Sequence, residues 1–272
     1  MILIVASKED VAAINIASHL LADHDFQESA KTFHESPTYI KKTPNGEEIL
    51  LIFIRGPAIE AQFLTQYFKP RLIIFVSRHK SASGIPTLSA HVPGNLGSAE
   101  MGGLPRKVSI ASASAMKEAL EELMRSKERL NLNYDVSYEC THHGPSLDVP
   151  TMFVELGSSL NQWKDLKAAE AVAKAAMAAA LSENVYPTVL GIGGLHYNRK
   201  FTKIAINSEI AFGHMIPKYA VHLVDSYVLR HCIERTVEPV QKIVLDWKGI
   251  KGSEKSRLME VLTEIDLPVE KV

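Results

Sequence analysis

Short apolar segments alternate with longer segments of helical periodicity along most of this chain. Runs such as Met1–Ala6 and Leu72–Val76 have the length and composition of buried strands. Leu166–Leu181 is rich in alanine, which loses no side-chain entropy in a helix. Because helices that alternate with strands cover both faces of a sheet, the pattern predicts an α/β protein. We expect three layers, α/β/α, around a mixed, largely parallel sheet.

The length of the chain bounds the number of domains. Its 272 residues are enough for one large α/β domain or for two smaller lobes that share a core. We therefore predict a single catalytic unit over residues 1–272, in which residues 1–70 can form a smaller lobe packed on residues 71–272. An extra α/β subdomain within this unit is also compatible with the length of the chain.

Three further segments have recognisable patterns. Residues 81–106 are rich in glycine, proline and serine and read as a long loop, which is uncommon in a compact domain unless it is functional or disordered. Lys203–Phe212 alternates like a strand, and Tyr219–Arg235 has helical periodicity.

Composition excludes several classes of protein. The 30 basic and 31 acidic side chains leave a net charge of −1, which excludes a protein that wraps nucleic acid by charge alone. We do not expect DNA as a partner. Contact with RNA would require a local basic patch. Two cysteines without a CxxC pair fit a reducing compartment. The apolar start is too short for a signal peptide, and no segment reaches the length of a membrane span. We predict a cytoplasmic protein without a membrane partner.

Histidines are concentrated outside the helical segments. Of the eleven histidines, six lie there: His79, His91, His142, His143, His196 and His214. In α/β folds the strand ends open onto loops that carry the chemistry, and imidazole titrates near neutral pH. A single loop histidine is as often a structural, hydrogen-bonded residue as a catalytic one. Several of them at separate strand ends predict one shared site.

Two of these histidines are adjacent, in the run Cys140–Ser146. Pro145 disfavours a helical conformation at Gly144, so the turn is predicted to be extended. Neighbouring side chains of an extended chain point to opposite sides. We therefore expect only one of His142 and His143 to face a given metal or substrate atom, and the sequence leaves open which one.

A glycine-rich turn precedes His196. Its spacing, Gly191-x-Gly193-Gly194, is not that of a dinucleotide-binding loop, and no Walker motif follows. Glycines allow a backbone to approach a ligand or to turn sharply. The N–H groups of Gly193 and Gly194 are therefore candidates for binding an oxyanion.

A carboxylate and three basic pairs complete the candidates. Glu155 lies in an apolar strand, where burial would raise its pKa and suit it to act as a base; the alternative is a strand residue that faces solvent or pairs with a lysine. Basic pairs at Arg78–Lys80, Arg106–Lys107 and Arg199–Lys200 suit phosphate groups, although a solvated surface is the usual explanation.

Taken together, six motifs resemble the archaeal and plant type of D-aminoacyl-tRNA deacylase. They are Phe75–His79, Ser89–Asn95, Thr141–Ser146, Glu155–Ser158, Gly191–Tyr197 and Phe212–His214, and they occur in the expected order at comparable spacing. The resemblance implies hydrolysis of the ester between a D-amino acid and the terminal adenosine of tRNA, as a chiral quality-control step. It also implies a zinc cofactor and an α/β fold similar in its core to nucleoside phosphorylases and peptidyl-tRNA hydrolases.

The resemblance also assigns roles to residues of this chain. The metal ligands expected are His142, His143 and His196. The catalytic residues expected are Glu155, His143, Gly193 and Gly194, and the substrate-binding residues are Ser77, Arg78, His79, His91, Tyr197 and His214. The partner is the acceptor end of a D-aminoacyl-tRNA, and the chain is expected to be a monomer or a small homo-oligomer.

Two alternatives stay open at this point. One is a different metal-dependent hydrolase that acts on a nucleoside or a peptide, and the other is a tRNA acceptor-end binding module without activity. A cleft on which the histidines converge would favour a metal-dependent hydrolase, whereas histidines dispersed over the surface would count against it.

Overall fold

A computed structural model describes residues 1–272 and contains two β-sheets with helices packed around them. The strands are β1 (Ile2–Ser7), β2 (Gln27–Phe33), β3 (Ser36–Lys42), β4 (Glu48–Ile54), β5 (Leu72–Lys80), β6 (Thr87–His91), β7 (Asp135–Tyr138), β8 (Thr151–Ser158), β9 (Thr188–Ile192), β10 (Ala211–Ile216), β11 (Val240–Leu245) and β12 (Val269–Lys271). The helices are α1 (Val11–Asp23), α2 (Leu64–Tyr67), α3 (Ala113–Arg129), α4 (Leu160–Trp163), α5 (Leu166–Leu181), α6 (Arg199–Ile206), α7 (Ser226–Glu234) and α8 (Gly252–Leu262). No helix is both long enough and apolar enough to cross a membrane.

The larger sheet has eight strands in the order β2-β3-β4-β1-β5-β8-β6-β7. Its centre, β4-β1-β5-β8, is parallel, whereas β2 and β3 pair antiparallel at one edge and β6 runs antiparallel to β8. Helices α1, α3 and α5 cover one face, and the helical turns of residues 58–67 cover the other. The prediction of a three-layer α/β/α architecture with a mixed, largely parallel sheet is therefore confirmed.

The smaller sheet is parallel throughout, in the order β10-β9-β11-β12. It has its own apolar core with residues of α7 and α8, while α3 packs against strands of both sheets. The four strands before residue 70 belong to the larger sheet, because β1 pairs directly with β5. The division of the chain at residue 70 stays a prediction.

Some segments differ from the expectations drawn from the sequence. Lys203–Phe212 is not one strand, because Asn198 caps helix α6 by accepting from the Phe201 N–H, and the strand begins only at Ala211. Phe201 and Ala205, four positions apart, are buried on one face of this helix. The apolar spacing of the segment is therefore compatible with a helix as well as with a strand. The stretch of residues 81–106, predicted as a long loop, contains strand β6. The helix predicted from Tyr219 begins only at Ser226, after its N-cap residue Asp225.

Candidate active site

Strand pairing brings the predicted residues of two strands to one edge of the larger sheet. In the parallel register of β5 and β8, Ser77 lies beside Glu155 and His79 beside Gly157. The segment after β7 then crosses to the loop after β9, where Glu139 forms a bridge with Tyr197 and the Cys140 N–H donates to the His196 carbonyl. The site therefore forms at the seam between the two sheets.

A cavity of about 480 Å³ opens at this seam. Eight residues singled out from the sequence line it: Ser77, Arg78, His79, Lys80, His142, His143, Glu155 and His196. Two acidic residues, Glu9 and Asp10, line the same cavity. Convergence of the histidines on one cleft is the arrangement that the hydrolase hypothesis requires.

The adjacent histidines lie on the same side of the chain, so the expectation that only one of them faces the site is wrong. His143 has φ 41°, which breaks the extended conformation, and its ring centroid lies 4.2 Å from that of His142. Each Nδ1 donates to a backbone carbonyl, His142 to Cys140 at 2.8 Å and His143 to Gly144 at 2.7 Å. When the rings are neutral, both Nε2 atoms are left as lone-pair donors for a metal.

Glu139 is the residue that the sequence reasoning missed. Its side chain is fully buried; Oε2 lies 2.9 Å from His196 Nε2 and 3.6 Å from His142 Nε2. Its Oε1 lies 3.1 Å from His79 Nδ1 but makes no hydrogen bond there. Glu139 directly follows β7 and lies three residues before His142, and this proximity to the histidine run is the signal that could have identified it.

His79 is held between two carboxylates. Its Nδ1 donates to Glu155 Oε2 at 3.1 Å, and its Nε2 lies 2.5 Å from the Tyr197 hydroxyl oxygen. Burial alone would lower the pKa of His79, but the neighbouring Glu139 and Glu155 outweigh it and raise this pKa to about 10. At neutral pH His79 is therefore a cation that offsets the buried negative charge.

The two carboxylates differ in their pKa. Burial raises the pKa of Glu155, and the negative charge of Glu139 adds to that effect, although hydrogen bonds from His79 and Ser77 oppose it. Burial would also raise the pKa of Glu139, but His196 and His79 hold it well below its usual range. Glu139 is thus a permanent anion, and Glu155 is the carboxylate suited to exchange a proton.

His91 lies behind the adjacent histidines. Its ring is fully buried, stacked on Phe153 with centroids 5.0 Å apart, and its Nε2 lies 3.3 Å from His143 Nε2. Its Nδ1 has no hydrogen-bond partner. Burial first, and then the neighbouring imidazoles, hold the pKa of His91 well below its usual range. The His91 ring is therefore uncharged at physiological pH.

Three overlapping groups of side chains at this site can hold a metal ion. They are His91, His142 and His143; Glu139, His142 and His196; and His79, Glu139 and Glu155, and within each group the donor atoms lie within 4.8 Å of one another. One buried oxygen of these groups, Glu139 Oε1, has no hydrogen-bond partner. Such an unpartnered atom is costly unless a cation or water satisfies it, so the donor set fits a metal.

Other predicted residues lie away from the cavity. His214 is buried, where its Nε2 donates to the Arg235 carbonyl and its Nδ1 accepts from the Thr141 hydroxyl, so it supports the histidine run from behind. The Gly193 N–H donates to the Ile216 carbonyl at 2.8 Å and is not free to bind an oxyanion. Gly193 and Gly194, with φ of 108° and 78°, shape the turn that carries His196.

We predict that Gly157→Ala displaces His79. A Cβ atom at Gly157 would lie 2.8 Å from the His79 Cβ, a separation that real Cβ atoms essentially never show. We expect the free energy of unfolding, measured in urea, to fall by about 1–3 kcal/mol, and the ring resonances of His79 to shift. Gly252→Ala is the control, since its Cβ meets nothing within 4 Å. Unchanged His79 resonances in Gly157→Ala would contradict the prediction.

We also predict acid destabilisation from His214. Burial lowers the pKa of His214 to about 3, whereas the unfolded side chain titrates near 6.5. Below pH 6.5 the unfolded state therefore binds the extra proton, and stability falls as the pH falls, by roughly 2 kcal/mol from this residue between pH 7 and pH 5. His214→Gln should lose that part of the pH dependence in urea unfolding, whereas exposed His222→Gln should keep it. An equal pH dependence in both variants would refute this assignment.

Comparison with known proteins identifies the family. Residues 66–270 match the family model of D-aminoacyl-tRNA deacylase. The chain is 38% identical over 274 residues to a D-aminoacyl-tRNA deacylase of Pyrococcus furiosus and 39% identical over 277 residues to one of Thermococcus kodakarensis, with 98% of each chain covered in both cases. The crystal structure of a conserved protein of unknown function, AF0625, superposes with a TM-score of 0.89 at 31% identity and covers 100% of this chain and 95% of that one. Since the match spans the strands, the histidine run and the glycine turn that build the cavity, this chain belongs to the D-aminoacyl-tRNA deacylase family.

Proposed function

We propose that this protein hydrolyses the ester bond between a D-amino acid and the terminal adenosine of tRNA, and releases the free D-amino acid and tRNA. In a chain of this family, the observation that carries the proposal is the buried Glu139, around which His79, His142 and His196 converge at one cavity. An aminoacyl ester is already activated, so the reaction needs a positioned water and charge stabilisation more than a covalent nucleophile.

The metal that we propose is zinc. Imidazole nitrogens and a carboxylate oxygen are its usual ligands, and we place Glu139, His142 and His196 around it. His143, a further ligand expected from the resemblance, belongs with His91 to the neighbouring group of donors. A bound zinc would lower the pKa of a water ligand to about 7 and polarise the ester carbonyl.

The remaining polar residues act on protons and charge. We assign Glu155 as the base that accepts a proton from the attacking water, because its pKa is raised and its carboxylate lines the cavity. Ser77, which donates to Glu155 Oε1 at 2.6 Å, and His79 fix the orientation of that carboxylate. Tyr197 positions His79 from the other side of the ring.

Substitution of the proposed ligands tests the metal site. We expect His142→Ala and His196→Ala to lower deacylation of D-tyrosyl-tRNA at least 100-fold and to reduce the zinc bound per chain, with an unchanged circular dichroism spectrum. His222→Ala, an exposed histidine outside the cavity, is the matched control and should behave as wild type. Full activity in purified His142→Ala and His196→Ala would refute the assignment.

Matched substrates test the reaction itself. We expect the protein to cleave D-tyrosyl-tRNA and to spare L-tyrosyl-tRNA, with activity lost on chelation and restored by zinc. Turnover of small esters or peptides that tRNA does not affect would instead favour the other hydrolase. Salt-sensitive binding of tRNA without ester turnover, with or without metal, would favour the binding module.

A further inference from the structure

A second, larger cavity adjoins the first. Its volume is about 1080 Å³, and His196 lines both cavities. Among the residues singled out from the sequence, this cavity contains His196, Tyr197 and Arg199. A ligand that spans both cavities would pass beside His196, which lies 2.9 Å from the buried Glu139 carboxylate. The junction of the cavities is therefore next to the proposed point of ester cleavage.

Free positive charge lies on the wall of the second cavity. Lys127 of α3 and Lys203 of α6 line it, and neither forms an ion pair within the chain. Arg199 also lines it and pairs with Asp135 at 2.9 Å. In a chain with a net charge of −1, two unpaired lysines on one concave wall indicate an anionic ligand.

The same cavity exposes apolar and aromatic surface. Leu195, Ile85 and Tyr219 line it, with 59%, 47% and 51% of their surfaces accessible. Large apolar side chains that cluster around a concave surface mark a binding site rather than a random surface. Bases of single-stranded nucleic acid stack on such side chains while lysines contact the phosphates.

The first cavity is lined by charge of both signs. Glu9, Asp10 and Glu155 line it, and so do Arg78 and Lys80. The apolar Ile59 and Phe153 lie in the same wall. These carboxylates suit the α-ammonium group of an amino acid, and the apolar residues suit its side chain. With 480 Å³ it is also the smaller of the two cavities.

We propose that the second cavity is the binding site for the 3′-terminal nucleotides of the RNA, with Lys127 and Lys203 as its phosphate-binding residues, and that the first cavity holds the D-aminoacyl group. The proposal rests on the proposed function, because it divides that substrate between the two cavities. The terminal base lies against Leu195, Ile85 and Tyr219, and the ester lies beside His196. Neither lysine touches the proposed metal ligands, so both are binding residues rather than catalytic ones.

Kinetics on two substrates tests the assignment. In Lys127→Ala/Lys203→Ala we expect KM for D-tyrosyl-tRNA to rise at least tenfold with little change in kcat. The slope of log KM against log salt concentration should fall by about 1.4, for two single-strand phosphate contacts. Cleavage of 3′-O-D-tyrosyl-adenosine, which has no phosphate, should be unchanged.

Two further variants control for charge and folding. Lys31→Ala/Lys248→Ala removes two exposed lysines outside both cavities and should leave both substrates unaffected. Lys127→Arg/Lys203→Arg keeps the charge and should keep the low KM. Circular dichroism melting confirms that each variant is folded.

Direct binding separates failure of this inference from failure of the proposed function. The RNA trinucleotide CCA should bind the wild-type protein and the control variant, and binding should weaken at least tenfold in Lys127→Ala/Lys203→Ala. If wild type cleaves D-tyrosyl-tRNA but the double variant keeps its KM, salt slope and CCA affinity, the inference is overturned and the proposed function stands. If wild type does not cleave D-tyrosyl-tRNA, the proposed function fails, and CCA binding alone decides the role of the cavity.

Discussion

The candidate active site depends on one buried carboxylate. Glu139 is withdrawn from solvent and would be costly as an isolated ion, yet its neighbours hold its pKa well below the usual range. His196 and His142 approach one oxygen and His79 the other, so three separate segments of the chain are oriented around one anion. Because these surroundings raise the pKa of His79, the cluster combines negative and positive charge at the wall of the cavity.

That cluster can form only because two sheets meet. Strands β5 and β8 of the larger sheet supply His79 and Glu155, whereas the turn after β9 of the smaller sheet supplies His196. The link between them is local backbone pairing of Glu139 with Tyr197, supported by the hydrogen bond from Cys140 to the His196 carbonyl. Two cavities that share His196 open at this seam. One is lined by carboxylates, histidines and two basic side chains, and the other by lysines and exposed apolar side chains.

Much of this arrangement could be predicted from local patterns. Apolar runs located the central strands, the alanine-rich segment located α5, and histidines at strand ends marked the site. The predictions were wrong where one pattern fits two structures. The segment Lys203–Phe212, predicted as one strand, contains the end of helix α6 and the start of strand β10. The edge strands β2 and β3 were not predicted, since β2 is largely exposed and polar and lacks an apolar run.

The sequence by itself determined the fold class, the family resemblance and most of the histidines of the site, because apolar periodicity and residue identity are local properties. It could not determine which way those side chains face. A left-handed φ at His143 brings two adjacent rings together, and burial turns Glu139 into the centre of the cluster. It also could not show that the His214 ring and the Gly193 N–H form hydrogen bonds with backbone carbonyls of the protein. Tertiary structure decided these points, because burial and long-range hydrogen bonds depend on segments that are distant in the chain.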